Sequence, residues 1–139
     1  MSRAAVFEAL TNDLTLNSLG IDSTTVFINY SLDEKPSVVG PFVILRWGNE
    51  DSPPFGDVRA PRDLTIWVHY PLELGPNFMM IDTRLDAIDD VLKNMEHVVG
   101  SDGQTVTCVR RTGRSGDLKD EGFQTICRNS AYQVLSRKD

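Results

Sequence analysis

Apolar residues recur along the chain with two different periods, and each change of period marks a new element. Val6, Phe7, Leu10 and Leu14 fall at helical spacing behind Ser2, a good N-cap residue, which predicts a short first helix ending near Asn12-Asp13. Residues 24–30 alternate, with Val26, Ile28 and Tyr30 on one side and Thr25, Phe27 and Asn29 on the other. That pattern predicts a β-branched strand, broken by Asp33-Glu34-Lys35-Pro36. Phe42-Val43-Ile44-Leu45-Arg46-Trp47 is an apolar run between Gly40-Pro41 and Gly48-Asn49, as expected of a buried strand. Alternation returns over 63–70, where Leu64, Ile66, Val68 and Tyr70 oppose Thr65, Trp67 and His69.

The longest pattern follows. Phe78, Ile81, Leu85, Ile88, Leu92, Met95 and Val99 are spaced alternately by three and four, one apolar stripe of a helix opened by Gly75-Pro76 and closed by Gly100. Asp82, Asp86, Asp89, Asp90, Lys93 and Glu96 occupy its other face. The stripe is too short for a sustained coiled coil, so the helix is expected to pack on the sheet. Two further strands, 104–111 and 123–135, are separated by a Gly-rich polar loop over 112–122. The expected fold is α+β: a mainly antiparallel sheet of about five strands, with a short N-terminal helix and one long helix packed on it. The expected order is α-β-β-β-α-β-β, in a single domain over 1–139 with a Pro/Gly-rich arm at about 48–62.

Composition narrows the function. A chain of 139 residues buries roughly 68–70% of its unfolded surface and needs no metal or disulfide to hold a core. Fourteen basic and twenty acidic side chains leave a net charge of −6, against a role in neutralising phosphates. Basic residues adjoin only at Arg110-Arg111 and Arg137-Lys138, without the aromatic interleaving of a single-strand binder. The longest nearly apolar run, 38–45, is far short of the ~20 residues of a membrane span, and the charged N-terminal stretch does not read as a secretory signal. Cys108 and Cys127 lie on expected strands as two small buried thiols, with a cross-strand disulfide as the alternative.

Catalytic constellations are weak. His69 reads as a sheet-face side chain and His97 as a cation complementing the dipole at the end of the long helix. No G-x-S-x-G elbow is present. Gly113-Arg114-Ser115-Gly116 lacks the Gly-Lys-Ser/Thr of a phosphate cradle and joins strands, so it reads as a turn. The aspartates of the long helix read as a solvated face, since the loop that wraps a divalent cation is missing. Neither a cofactor, a metal nor a catalytic residue is therefore expected. The arm displays Trp47, Pro53, Pro54, Phe55 and Val58, with Phe55 the best candidate anchor into a neighbour and folding back on its own core the alternative.

Several stretches in this order carry a resemblance: Pro41-Phe42-Val43-Ile44-Leu45, the strand from Asp63 through Trp67 to Tyr70, Leu85-Asp86-Ala87-Ile88, and the final strand closing on Tyr132-Gln133-Val134-Leu135. Over nearly its whole length the chain resembles the tail-terminator (tail-to-head joining) proteins of long-tailed bacteriophages, more narrowly those of phages infecting actinobacteria. The resemblance implies a non-enzymatic virion protein, assembled in the host cytoplasm, that forms a hexameric ring capping the tail tube. It implies as partners its own copies, the tail tube protein and a head-completion or neck protein, with double-stranded DNA only passing through the lumen and no membrane. The negative charge suits a lumen that repels DNA, with Asp82, Asp86 and Asp89 as candidate lumen-facing residues. Sheet edges at 24–30 or 123–135 are candidates for pairing with the next subunit. The alternatives are another neck component (a head-completion or adaptor protein), a small enzyme or ligand-binding module acting through His69, and a nucleic-acid-binding regulator.

Overall fold

A computed structural model describes residues 3–28, 40–50 and 59–137. Helix α1 spans Arg3–Asn12 and buries Ala5, Val6 and Leu10. It does not run on to Leu14. The Asp13 carboxylate instead accepts the Leu16 amide at 3.0 Å and caps a separate helix α2, Leu14–Ser18, which buries Leu16. Leu14 is left 83% exposed, because the break between the helices turns it off the stripe. Asp22 then accepts the amide and hydroxyl of Thr24, holding 22–25 as a turn and delaying strand β1 to Val26–Ile28.

Strand β2, Phe42–Glu50, and strand β3, Arg59–Pro71, extend past the edges of the expected arm, since Glu50 still pairs with Arg62. The arm is therefore shorter than 48–62, and residues 51–58 lie outside the described residues. A 3-10 turn, Leu72–Leu74, leads to helix α3, Phe78–Lys93. The apolar stripe outlasts this helix: the Met95 amide bonds back to the Leu92 carbonyl and His97 takes a positive φ of 53°. Val98–Val99 then forms strand β4, paired with β5, Thr105–Arg114. Within the polar loop, Leu118–Asp120 forms strand β6, and the last strand, β7, is Thr125–Arg137.

These findings overturn the five-strand expectation. Among the described residues the order is α-α-β-β-β-α-β-β-β-β, and seven strands form one mixed sheet, curled into a half-barrel, in the order β1-β2-β3-β7-β5-β4 with β6 beside β7. The β1–β2 pair is parallel. The expectation missed β4 because its valines continue the helical stripe, and β6 because Leu118 is its only apolar residue. Strand β7 is central, paired with β3 on one side and with β5 and β6 on the other, so 123–135 is no free edge.

The main core lies between one sheet face and the helices. Val43, Leu45, Leu64, Ile66, Val68, Val106, Tyr132 and Val134 meet Val6, Leu10, Ile81, Leu85, Ile88 and Leu92 there, all but inaccessible to solvent. Gly100 sits where α1 meets the β4–β5 turn: a Cβ there would lie 2.7 Å from the Ala5 backbone nitrogen.

Candidate functional site

On the opposite face the sheet carries a second, aromatic cluster. Strand alternation sends Phe42 and Ile44 of β2 and Trp67 and His69 of β3 to this side, while their neighbours Val43, Leu45, Ile66 and Val68 enter the main core. Phe27 of β1 joins them through its register with Ile44. Phe123 arrives from the β6–β7 turn, where the Asp120 carboxylate accepts its amide at 2.9 Å. The Phe42 ring stacks on the His69 imidazole at 4.8 Å and 8°, and Phe123 tilts against it at 5.4 Å.

His69 is the polar member of this cluster and is 3% exposed. Its Nδ1 shares a hydrogen bond of 2.8 Å with Thr125 Oγ1. Burial pushes its pKa down to about 4 against a smaller opposing pull from Asp120, so the ring is neutral at pH 7. Cys127 faces His69 across the β3–β7 pair, and burial raises its thiol to about 11. A weakly basic imidazole beside a thiol that resists ionisation is not an activated nucleophile pair. Next to this cluster a hollow of about 170 Å³ opens between Ile44, Arg46, Trp67, His69, Asp120 and Phe123. Its walls are apolar and aromatic, with one cation and one carboxylate at the margin, which suits recognition of an apolar group.

On the helix side three aspartates of α3 face arginines, while Asp90 pairs with Lys93 of its own helix. Asp82 takes Arg128 of β7, Asp86 takes Arg114 of β5 at 2.8 Å, and Asp89 lies 3.8 Å from Arg111 of β5. Spaced by four and three, the carboxylates stand in a row above the long hairpin that β5, β6 and β7 make. They are a helix-to-sheet ladder rather than a bare acidic face.

Other expected site residues are placed differently. Trp47 is not displayed: it lies within β2, 7% exposed in the main core, with the guanidinium of Arg62 5.2 Å from its ring centre. Pro53, Pro54, Phe55 and Val58 fall outside the described residues. His97 is exposed beyond the end of α3, whose last turn holds Lys93, so it does not complement that helix dipole. Cys108 is exposed and Cys127 buried, both free; in register Cys108 faces Leu135, so the two are not cross-strand neighbours. Sequence reasoning missed Arg46, Asp120, Phe123 and Thr125. A signal for a second cluster was present in the unbroken apolar run 42–45, but Phe123 lies some eighty residues further on.

Among the described residues no group of three or more His, Cys, Asp or Glu is placed to hold a metal ion, and no helix is long and apolar enough to cross a membrane. No protein-family model matches the chain. No curated protein matches it. Among the solved chains that match in structure, one, named only by a sequence identifier, is similar with a TM-score of 0.56 at 13% identity, over 95% of this chain and 92% of its own. That likeness shows the fold alone.

Proposed function

We propose that the chain is a structural virion subunit of the tail-terminator kind. In this reading six copies form a ring that caps the phage tail tube, ends its polymerisation and joins it to the head-completion or neck proteins. Double-stranded DNA passes through the lumen. The subunit assembles in the host cytoplasm and ends in the neck of the virion.

The observation that carries the reading is the one-sided covering of the sheet. Among the described residues three helices cover one face, while the other keeps Trp67, Arg46 and a hollow beside its aromatic cluster. Strand β1, three residues long, stands at one end of the strand order and strand β4, two residues long, at the other. Such a unit offers neighbours both a face and edges. The resemblance of the sequence over nearly its whole length supplies the particular assembly. Asp82, Asp86 and Asp89, set against their arginines, would give a lumen wall of alternating charge that does not grip the phosphate backbone.

The competing reading, a small enzyme or ligand-binding module, draws on the hollow beside His69. Light-scattering mass over a wide concentration series, with and without Mg²⁺, separates the two. A species near six times 15.5 kDa, about 93 kDa, without a long-lived dimer, supports the ring. A stable dimer at every concentration sinks it. If the protein stays monomeric, it is added to growing tail tubes: elongation must stop and electron micrographs must show capped ends.

A further inference from the structure

We infer that the hollow on the helix-free face binds a small phenolic carboxylate, with its acid at Arg46, its aromatic ring against Trp67 and Phe123, and its hydroxyl at His69. The site does not depend on oligomeric state, since a hexamer subunit and a lone domain can both carry it.

The middle of the hollow fits an aromatic guest. Ile44, Trp67 and Phe123 supply apolar walls, and His69 is stacked against Phe42, so little reorganisation is needed on binding. The Trp67 and His69 rings lie 6.2 Å apart at 26°, and Phe123 tilts against His69 at 5.4 Å. Such ring faces favour a flat aromatic group over a branched aliphatic one. The volume of about 170 Å³ compares with the ~150 Å³ that accepts benzene inside a protein.

The polar groups stand at its two ends. Arg46 pairs in register with Thr65, and His69 lies four residues further along β3, about 14 Å at ~3.4 Å per residue. The arginine side chain spans part of that distance, and a para-substituted benzene ring is long enough for the rest. Arg46 makes no hydrogen bond or ion pair with the described residues, so its guanidinium is available to a carboxylate. At the other end Thr125 engages His69 Nδ1 at 2.8 Å, and among the described residues Nε2 has no partner. In the tautomer that donates from Nδ1 to Thr125, Nε2 accepts a phenol proton. Asp120 belongs to this end too, near enough to His69 to act on its charge, and it accepts the Phe123 amide. Its carboxylate repels an acid there and tolerates a hydroxyl, which sets the direction of the guest: acid to Arg46, hydroxyl to His69.

The test is a titration of the full chain with para-hydroxyphenylacetate, followed by NMR at the Trp67 indole and the His69 imidazole. Saturable shifts at both residues are expected, with a Kd of about 1 mM or tighter. Phenylacetate, which lacks the hydroxyl, and para-cresol, which lacks the acid, should each bind at least tenfold more weakly. Arg46→Gln changes a half-buried side chain that no described residue holds, so the fold should be kept. It is expected to weaken para-hydroxyphenylacetate at least tenfold and to leave para-cresol unchanged. No shift at either residue up to about 10 mM overturns the inference. So does equal binding of phenylacetate or para-cresol by the wild type, or of tyramine, whose amine replaces the acid. Equal loss of both ligands in Arg46→Gln also overturns it.

Discussion

The two faces of the sheet bury their side chains by different means. On the helix side, Leu64, Ile66 and Val68 are covered by residues from three helices of the same chain, and three aspartate–arginine contacts run along the margin of α3. On the other side, among the described residues, Phe42 and His69 are covered by fellow strand residues and by Phe123 from a turn, and the cluster borders a hollow. The first face is completed by local connections. The second holds a buried histidine with one hydroxyl partner and leaves Trp67 partly in solvent. A face finished in this way is stable enough to fold and still has apolar surface to offer.

The sharpest way to break the contrast is to cut into the completed face. Leu85→Ala, at a fully buried position of α3, is expected to cost about 2–5 kcal/mol in urea unfolding, whereas Trp67→Ala should cost clearly less. Equal losses would mean that the second face is as closed as the first.

Acid acts on the other face. The folded protein favours neutral His69, with a pKa of about 4 against 6.5 for a free imidazole, so the unfolded chain takes up the proton first. The stability tied to the neutral ring is complete above about pH 6.5 and is lost as the pH falls through about 4, a change on the order of 3 kcal/mol. Unfolding curves of the wild type and His69→Gln should converge across that window. Parallel curves would show that His69 is not held neutral in the fold.

Smaller effects sharpen the picture. Asp86→Asn removes a contact whose acid side chain is 69% exposed, so a loss below about 1 kcal/mol is expected, shrinking further in high salt. Least of all in energy, a thiol reagent at pH 8 should modify Cys108 alone in the folded protein and Cys127 only after unfolding, as a mass shift on each peptide would report.

What could be read from the sequence follows from how local each feature is. The alternation of Leu64, Ile66, Val68 and Tyr70 needs only neighbours two apart, and these residues do line the main core. Helix α3 announces itself through Ile81, Leu85, Ile88 and Leu92, but its end does not. No glycine stands where the helix stops, so Met95 and Val99 prolong the periodicity although Asn94 caps the helix and His97 turns left-handed. Arg59 to Arg62 read as arm because proline and charge dominate them, yet pairing with β7 makes them strand. The aromatic hollow depends on β2, β3 and the β6–β7 turn meeting, contacts that no short-range pattern encodes.

Strand β7 also constrains how the protein is made. It is the last of the seven strands to leave the ribosome, yet it matches β3 along 13 consecutive positions and carries β5 and β6 on its other side. Until it emerges, β3 waits with a long bare edge that no earlier strand among the described residues covers. Assembly of the sheet is thus a late, nearly all-at-once event dominated by distant pairings, which slows folding and lengthens the time in which nascent chains can pair with one another.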